Sequence, residues 1–352
     1  MGSSWTFFGC IEAPCHLRMV LTAVGGFFLS MIYYSHAEEG VTFRVSPPRM
    51  CTVEEILPFP GRGEWKDAPV GTPSFNCSCP HYKGRYFCPH AEEFLKVWET
   101  VAVNNTGCTV IDRSSLAENP LPPFTTVLFV GNSHMRQTVE SILCLAAESV
   151  REREMMLFFG DNKPQRRHSV TPMSQCRGGP LEPGCNAELG RTDQCNDDVV
   201  SVVFENHASI KYIFADNERA KSIGKYAEVA FGMKPSDFDV VVANPGNMPY
   251  MTRESLVSTA RALNGTGTAL FWMSTYDGTY LWEDQQESPL KGLDVVQFDT
   301  HNIVSSQTSY QVQNVEMGHV NDPHFCLPGP PLELGVLLLD LIWARTHQQG
   351  VK

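Results

Sequence analysis

A buried-strand signal that turns sharply into an amphipathic segment, within Phe124–Cys144, constrains this chain more than any other feature. Thr125–Val130 is apolar and rich in β-branched residues, which predicts a buried strand. The next three residues, Gly-Asn-Ser, predict a tight turn, and His134–Leu145 has the apolar spacing of an amphipathic helix. A serine at such a turn lies at the carboxyl edge of a sheet, where helix N–H groups can stabilise an oxyanion. Ser133 is therefore a candidate nucleophile, and simple helix capping is the alternative.

Strand and helix signals alternate along the rest of the chain. Apolar runs typical of strands recur at Met155–Phe159, Val199–Phe204, Ile210–Phe214, Phe238–Ala243, Ala269–Met273 and Val295–Phe298. Helices are predicted at His90–Val101, Arg219–Phe231, Arg253–Asn264 and Glu333–His347. This alternation predicts an α/β domain of three layers with a mainly parallel sheet. With 352 residues, 42% of them hydrophobic, the chain can bury such a core.

Changes in composition mark the limits of the predicted domain. Residues 38–75 are rich in proline and glycine and predict a stem, so the folded domain is assigned to residues 76–347. Its first part, up to residue 119, is predicted to be a small subregion held by disulfides. Residues 160–198 contain almost no large apolar side chains and predict a long loop excursion. Loops of that length are usually functional or held by disulfides, so this one is expected to border a substrate cleft.

A mainly apolar stretch, Met19–Tyr34, lies near the N-terminus. It is short for a membrane span but long enough for the apolar part of a signal peptide. The tripeptide that ends at Ala37 resembles a cleavage site. Residues 1–37 are therefore interpreted as a cleaved signal peptide or as a type II signal-anchor, and a buried core helix is the remaining alternative. Both main interpretations place the body of the protein in the lumen of the secretory pathway.

Cysteine usage also indicates an oxidising compartment. Two of the 12 cysteines precede the apolar stretch, and the other ten follow it: Cys51, Cys77, Cys79, Cys88, Cys108, Cys144, Cys176, Cys185, Cys195 and Cys326. Their even number predicts disulfides. Glycosylation sequons at Asn76, Asn104 and Asn264 are consistent with the same compartment. The cysteines and histidines between residues 77 and 90 fit no standard zinc spacing, so no metal is predicted.

The formal net charge of −12 bears on the class of partner. The chain has no basic arm or patch of the kind that neutralises phosphates, so a nucleic-acid partner is not expected. An acidic protein suits neutral sugars better than polyanionic substrates.

Two further segments are expected beside Ser133 at the carboxyl edge of the sheet. Asn244–Asn247 follows a predicted core strand, and its side-chain amides can donate to an oxyanion, although a simple turn is the alternative. His324 lies in a loop before the last helix, with Asp322 two residues earlier. This pair can complete a Ser-His-Asp arrangement, and a proline-rich structural turn is the alternative.

The order of these segments, with the base near the C-terminus, resembles the GDSL/SGNH hydrolase superfamily. More closely, the chain resembles the trichome birefringence-like and PC-esterase group of polysaccharide O-acetyltransferases. The segment FVGNSHMRQTVESILCL is similar to that family's strand, Gly-Asp-Ser turn and following helix. HFCLPG matches its terminal His-Trp-Cys-Leu-Pro-Gly signature except that Phe325 replaces tryptophan. ENHASIKYIFADN and DVVVANPGN are weaker likenesses to its intervening strands.

The resemblance implies acyl transfer through a serine-bound intermediate. Ser133 would be the nucleophile, with His324 as general base and Asp322 orienting it. The backbone N–H of Ser133 and the segment that includes Asn244, Gly246 and Asn247 would line the oxyanion hole. Arg136 would support the site or position substrate, with an exposed helix cation as the alternative.

The resemblance also implies the compartment and the co-substrates. The protein would lie in the Golgi membrane with a lumenal body, or be secreted. Its acetyl donor would be a co-substrate such as acetyl-CoA, with no bound cofactor, and its acceptor would be a cell-wall polysaccharide or other glycan. Trp272, Tyr276, Tyr280 and Trp282 offer faces for sugar rings or pack in the core. Cys326 is expected to pair with an upstream cysteine and fix the loop of His324.

Two departures from the family pattern keep other functions open. Asn132 replaces the aspartate of Gly-Asp-Ser, and the position three residues before His324 holds Asn321, so that Asp322 comes one residue late. An asparagine can orient an imidazole but does not stabilise the imidazolium, and such a change in a serine protease costs about 10⁴ in turnover. A secreted carbohydrate esterase and a catalytically weak or inactive glycan-binding relative are therefore the alternatives.

Overall fold

The chain is divided into two units, Met1–Arg49 and Met50–Lys352, in a computed structural model. The structure describes residues 18–21, 31–34, 49–58, 63–68, 96–100, 107–159, 163–170, 199–215, 223–244, 253–274, 290–306, 325 and 329–349. In the first unit, β1 (Arg18–Leu21) and β2 (Met31–Tyr34) pair antiparallel within the apolar N-terminal stretch. Within the described ranges, the helices are too short or too polar to cross a bilayer.

The second unit contains the remaining elements, except that β3 begins at Arg49, the last residue of the first unit. Its strands are β3 (Arg49–Met50), β4 (Gly63–Asp67), β5 (Lys96–Thr100), β6 (Cys108–Thr109), β7 (Thr126–Gly131), β8 (Val150–Phe159), β9 (Lys163–Val170), β10 (Val199–Phe204), β11 (Ser209–Phe214), β12 (Val240–Asn244), β13 (Ala269–Met273) and β14 (Val295–Phe298). Its helices are α1 (Val53–Ile56), α2 (Arg113–Glu118), α3 (Ser133–Leu145), α4 (Ile223–Phe231), α5 (Arg253–Leu263), α6 (His301–Ser305) and α7 (Pro330–Gln348).

An eight-stranded sheet in the order β14-β13-β12-β7-β11-β10-β8-β9 forms the centre of this unit. The five strands from β14 to β11 are parallel, and the remaining three pair antiparallel. Along β7, Val127 and Phe129 pack with α3 and α7, whereas Leu128 and Val130 pack with α4 and α5. Strand β7 is thus buried on both faces, as its unbroken apolar run requires. The predicted α/β class with a mainly parallel sheet is confirmed.

The prediction of a helix over His90–Val101 is wrong for the residues that the structure describes. Lys96–Thr100 forms β5, which pairs antiparallel with β4 so that Trp98 lies opposite Trp65. The two indole rings meet edge to face, with their centroids 5.6 Å apart. The Trp98 backbone N–H also donates to Glu333 Oε2 on α7 at 3.1 Å. These tertiary contacts outweigh the local helical pattern.

The prediction of an irregular loop over residues 160–198 is also wrong in part. Lys163–Val170 forms β9, which pairs antiparallel with β8 at the edge of the sheet. An edge strand has only one neighbour, and charged residues are common there because they discourage further pairing. A polar sequence is therefore compatible with this strand. The rest of the excursion, 160–162 and 171–198, lies outside the described residues.

The prediction of disulfides is confirmed for three cysteines that the structure describes. Cys51 and Cys108 are bonded with their Cα atoms 4.9 Å apart, and Cys144 on α3 is disulfide-bonded as well. Asn264 is exposed just beyond α5, as a glycan acceptor must be. The other proposed modification sites lie outside the described residues, namely Cys77, Cys79, Cys88, Cys176, Cys185, Cys195, Cys326, Asn76 and Asn104.

A buried carboxyl group on α7 makes the stability of this unit depend on pH. Asp340 is 3% exposed and accepts a hydrogen bond from the Ile111 backbone N–H at 3.2 Å. Burial raises the pKa of Asp340 well above its ordinary value of 3.8. The folded state therefore holds a proton that the unfolded state releases, so the free energy of unfolding falls as pH rises from about 3.8 through the folded pKa.

Asp340→Asn is expected to flatten this dependence and to raise the free energy of unfolding at pH 8, because an amide still accepts from Ile111 without ionising. Urea unfolding at pH 5 and pH 8 measures both effects. Part of the slope will remain, since burial also raises the pKa of Glu333. Glu118→Gln, at an exposed position on α2, is the control for loss of one charge. An equal slope in Asp340→Asn and the parent would contradict the prediction.

Candidate active site

Ser133 lies at the point where the central strand meets its helix. It is the first residue of α3 and comes two residues after the end of β7. From Val127 to Ala146 every residue is buried except Ser133, which is partly exposed. The parallel strands end at the same edge, where open α/β sheets form their ligand sites. The one accessible side chain of this segment is therefore a hydroxyl at the edge where chemistry is expected.

The turn before Ser133 is fixed by two polar side chains. The Asn132 Oδ1 atom accepts a hydrogen bond from the His134 backbone N–H at 3.1 Å and so caps α3. Tyr212 on β11 donates from its hydroxyl to the carbonyl oxygens of Gly131 and Asn132, at 3.2 Å each. Asparagine and aspartate cap helices about equally well. The amide at position 132 therefore caps α3 as well as an aspartate would.

Gly131 allows α3 and β12 to approach the turn closely. A Cβ atom at this position would lie 2.5 Å from Met135 Cβ and 2.9 Å from the Asn244 carbonyl oxygen. Both distances are shorter than van der Waals contact, and one of the two atoms belongs to the backbone. Only glycine fits here without a shift of the turn.

Gly131→Ala is expected to lower the free energy of unfolding by about 1–3 kcal/mol, the usual cost of overpacking a filled core. Urea unfolding monitored by circular dichroism measures it. Gly224→Ala on α4 is the matched control, because its Cβ would meet only Pro235 at an ordinary 3.5 Å. That control is expected to be neutral or stabilising, since alanine favours helices. Equal stability of Gly131→Ala and the parent would show that the turn has room to adjust.

Gln137 joins α3 to the segment that follows His324 in the sequence. Its side-chain Nε2 donates to the Phe325 carbonyl oxygen at 2.6 Å, and the Phe325 backbone N–H donates to Gln137 Oε1 at 3.4 Å. Both residues are buried, each 2% exposed. Residues four apart lie on the same face of a helix, so Gln137 is one turn beyond Ser133 on that face. Phe325 is thus tied to the helix that begins at the candidate nucleophile.

Asn244 ends β12 next to Gly131 and is 1% exposed. Its side-chain Nδ2 donates to the Ser274 carbonyl oxygen at 3.0 Å. The Ser274 hydroxyl in turn lies 3.1 Å from Asp299 Oδ1 and 3.0 Å from Thr300 Oγ1. These contacts hold the Asn244 amide in one orientation.

Arg136 is not the exposed helix cation of the alternative interpretation. It is 4% exposed, and its guanidinium carbon lies 5.0 Å from the centre of the Phe214 ring. Phe214 is the last residue of β11 and pairs with Gly131, so the stacked pair lies beside the candidate site. A guanidinium over an aromatic face is attracted by the ring electrons. Arg136 therefore packs beneath the carboxyl end of the sheet, where it contacts Phe214.

The remaining predicted site residues are placed only in part. Trp272 is fully buried in β13, so its packing role is confirmed and it offers no face to a sugar. Gly246, Asn247, Asn321, Asp322, His324, Tyr276, Tyr280 and Trp282 lie outside the described residues. Within the described ranges no cluster of His, Cys, Asp or Glu is arranged to hold a metal ion.

Sequence patterns missed three polar residues of this site. Gln137 could have been selected because it shares the helix face of Ser133. Tyr212 could have been selected as a polar ring in a core strand. Ser274 carries no comparable signal. A comparison with protein-family models and a search of curated proteins found no match to this chain.

Proposed function

We propose that this protein transfers acetyl groups to polysaccharide hydroxyls through a serine-bound intermediate, as its resemblance to the trichome birefringence-like and PC-esterase group implies. The observation that carries the proposal is the paired hydrogen bonding between Gln137 and Phe325. Phe325 directly follows His324 in the sequence, and Gln137 lies one helical turn from Ser133. The proposed nucleophile and the proposed base thus belong to segments that are joined in the fold.

In the first half of the reaction, Ser133 Oγ attacks the carbonyl carbon of the acetyl donor, and His324 takes the hydroxyl proton. The tetrahedral intermediate collapses, and the donor's thiolate or alkoxide leaves with that proton. In the second half, a sugar hydroxyl attacks the acetyl-serine and gives its proton to His324. Ser133 then recovers the proton as the sugar ester departs. No net proton is gained or lost, and water in place of the sugar gives the esterase reaction.

Charge on the intermediate needs donors at the carboxyl edge of the sheet. The N-terminus of α3 carries a partial positive charge, and Ser133 is its first residue. Asn244 ends the neighbouring strand, and its amide is oriented by Ser274. These groups support the oxyanion hole of the proposal, and Asp322 would orient His324. The proposal includes residence in the Golgi lumen, which a chain reaches through the oxidising endoplasmic reticulum, where disulfides such as Cys51–Cys108 form.

Peptide mass spectrometry after brief exposure to acetyl-CoA or an aryl acetate tests the proposal. A mass gain of one acetyl group on the peptide that carries Ser133 is the expected result, and Ser133→Ala should abolish it. Ser141→Ala is the matched control, a buried serine on the same helix that bonds only to the Gln137 carbonyl oxygen among the contacts described. Release of the label by a polysaccharide but not by water would indicate a transferase. A folded protein without label would overturn acyl chemistry and favour the glycan-binding alternative.

A further inference from the structure

Two residues with left-handed backbone lie side by side at the end of the sheet where β7 begins, opposite to the end that holds Ser133. Phe124 has φ of 63° and His207 has φ of 65°, and within the described residues they alone show positive φ without being glycine. A bulky side chain strains such a backbone, and strain of this kind persists mainly where function requires it. Phe124 is nonetheless 74% exposed, so packing in the core does not account for its position.

The two side chains form a flat surface, which we name the aromatic platform (Phe124 and His207). Their rings are stacked with centroids 5.4 Å apart and planes that differ by 3°. Arg151 Nη1 lies 3.1 Å from His207 Nδ1 at the rim. The Phe124 backbone N–H donates to the Asn206 carbonyl oxygen at 3.4 Å, which joins the two loops. One ring thus supports the other and leaves the outer face open to solvent.

Asn206 makes the platform rigid. Its Nδ2 donates to the Leu121 carbonyl oxygen at 2.8 Å and to Asn119 Oδ1 at 3.3 Å, while its Oδ1 accepts from the Ala208 backbone N–H at 3.0 Å. These bonds tie the turn between β10 and β11 to the segment before β7. A preformed surface loses little conformational entropy when a ligand binds.

The platform is separate from the candidate active site. Phe124 precedes the first residue of β7, whereas Ser133 follows its last residue. A strand rises by about 3.3 Å per residue, so the two sites are roughly 17 Å or more apart along β7. A small substrate in reaction at Ser133 does not reach the platform, but a polymer can occupy both.

We infer that Phe124 and His207 form a second binding site for a pyranose ring of a neutral polysaccharide. The inference rests on the proposed function for the identity of the polymer. An exposed aromatic face fits the apolar face of a sugar ring, and the guanidinium group of Arg151 and the amide group of Asn119 can bond its hydroxyls. The net charge of −12 disfavours a polyanion on the same surface.

The variant Phe124→Gly shows whether the Phe124 ring serves glycan binding or the stability of the fold. Glycine removes the ring and also relieves the left-handed strain, so the variant should be at least as stable to heat as the parent. Its affinity for the polymer should fall at least fivefold. Phe124→Trp should retain the affinity. His207→Asn, which tolerates positive φ, should lose part of it because the supporting ring is gone.

The experiment measures binding to soluble xylan, mannan and glucan by affinity electrophoresis, with Ser133→Ala as the parent so that no turnover occurs. Weaker binding of Phe124→Gly to at least one polymer, with unchanged or higher Tm, supports the inference. Equal binding of the parent and Phe124→Gly to every polymer, or no binding by the parent, overturns it. A lower Tm for Phe124→Gly also overturns it, because the ring would then be structural.

Labelling of Ser133 distinguishes the two proposals. The platform variants made on the wild-type chain should form the acetyl adduct normally, because the platform takes no part in the reaction. Absence of the adduct together with glycan binding that depends on Phe124 would overturn the proposed function and leave the second site intact.

Discussion

Leucine in place of Gln137 is expected to lower the turnover of the proposed acyl transfer about 100-fold, because a displacement of about 1 Å in a reacting group costs that much. Gln137 satisfies both backbone groups of Phe325, and leucine satisfies neither. Each hydrogen bond of this kind contributes about 0.5–1.5 kcal/mol to stability. Phe325 will therefore shift or detach from α3, and the loss of both bonds should lower the free energy of unfolding by about 1–3 kcal/mol.

Steady-state kinetics with an aryl acetate, together with urea unfolding, measure both parts of this prediction. The turnover number should fall while KM changes little, since Gln137 acts on the position of the base. Gln137→Glu is expected to be intermediate because it keeps an acceptor for the Phe325 N–H but loses the donor. Ser141→Ala on the same helix should behave like the parent. Full activity of Gln137→Leu would show that the C-terminal segment is positioned by other contacts.

The second large effect concerns a buried ion pair between α3 and β8. Arg153 Nη2 lies 2.9 Å from Glu140 Oε1, and the two side chains are 1% and 3% exposed. Glu140→Leu removes one partner and leaves a guanidinium in the core. Breaking a buried pair in this way typically costs about 3–5 kcal/mol, because the remaining buried charge loses the opposite charge that compensates it. Thermal and urea unfolding should both show the loss.

Two comparison variants test whether the loss of stability comes from the burial of the ion pair. Glu152→Gln breaks the exposed pair of Arg151 and Glu152, whose side chains are 36% and 57% exposed, and should cost less than about 1 kcal/mol. The double variant Glu140→Leu/Arg153→Met replaces the whole pair by apolar groups and should recover most of the stability. A loss below about 1 kcal/mol for Glu140→Leu alone would mean that Arg153 reaches water or another acceptor.

Those parts of the fold that depend on continuous apolar runs were predictable from the sequence. The bounds of β10, β13 and β14 agree with the predicted runs. For β13 the reason is burial on both faces, which requires an apolar residue at every position. The Gly-Asn-Ser turn and α3 were also predictable, because the continuous apolar run of the strand ends there and apolar residues then recur at helical spacing. Ser133 could therefore be selected before its surroundings were known.

Elements that depend on distant partners were not predictable. Strand β5 has a helical pattern, and it becomes a strand because β4 and α7 contact it. Strand β9 has no apolar pattern because it lies at an edge. The bond between Gln137 and Phe325 joins residues 188 positions apart, and a single polar side chain carries no signal of such a partner. The geometry of the candidate site therefore had to come from the fold.

The buried acids of α7 have a consequence for biosynthesis. Glu333 bonds Arg113, which is 220 positions earlier, and Asp340 bonds Ile111, which is 229 positions earlier. Arg113 emerges from the ribosome long before its acidic partner, and a chain grows by about 5–20 residues per second. For at least about ten seconds, the polar groups of the early segment therefore lack the partners that they have in the folded protein. We therefore expect the nascent chain to depend on chaperones, and a chain that terminates before Pro330 to be degraded.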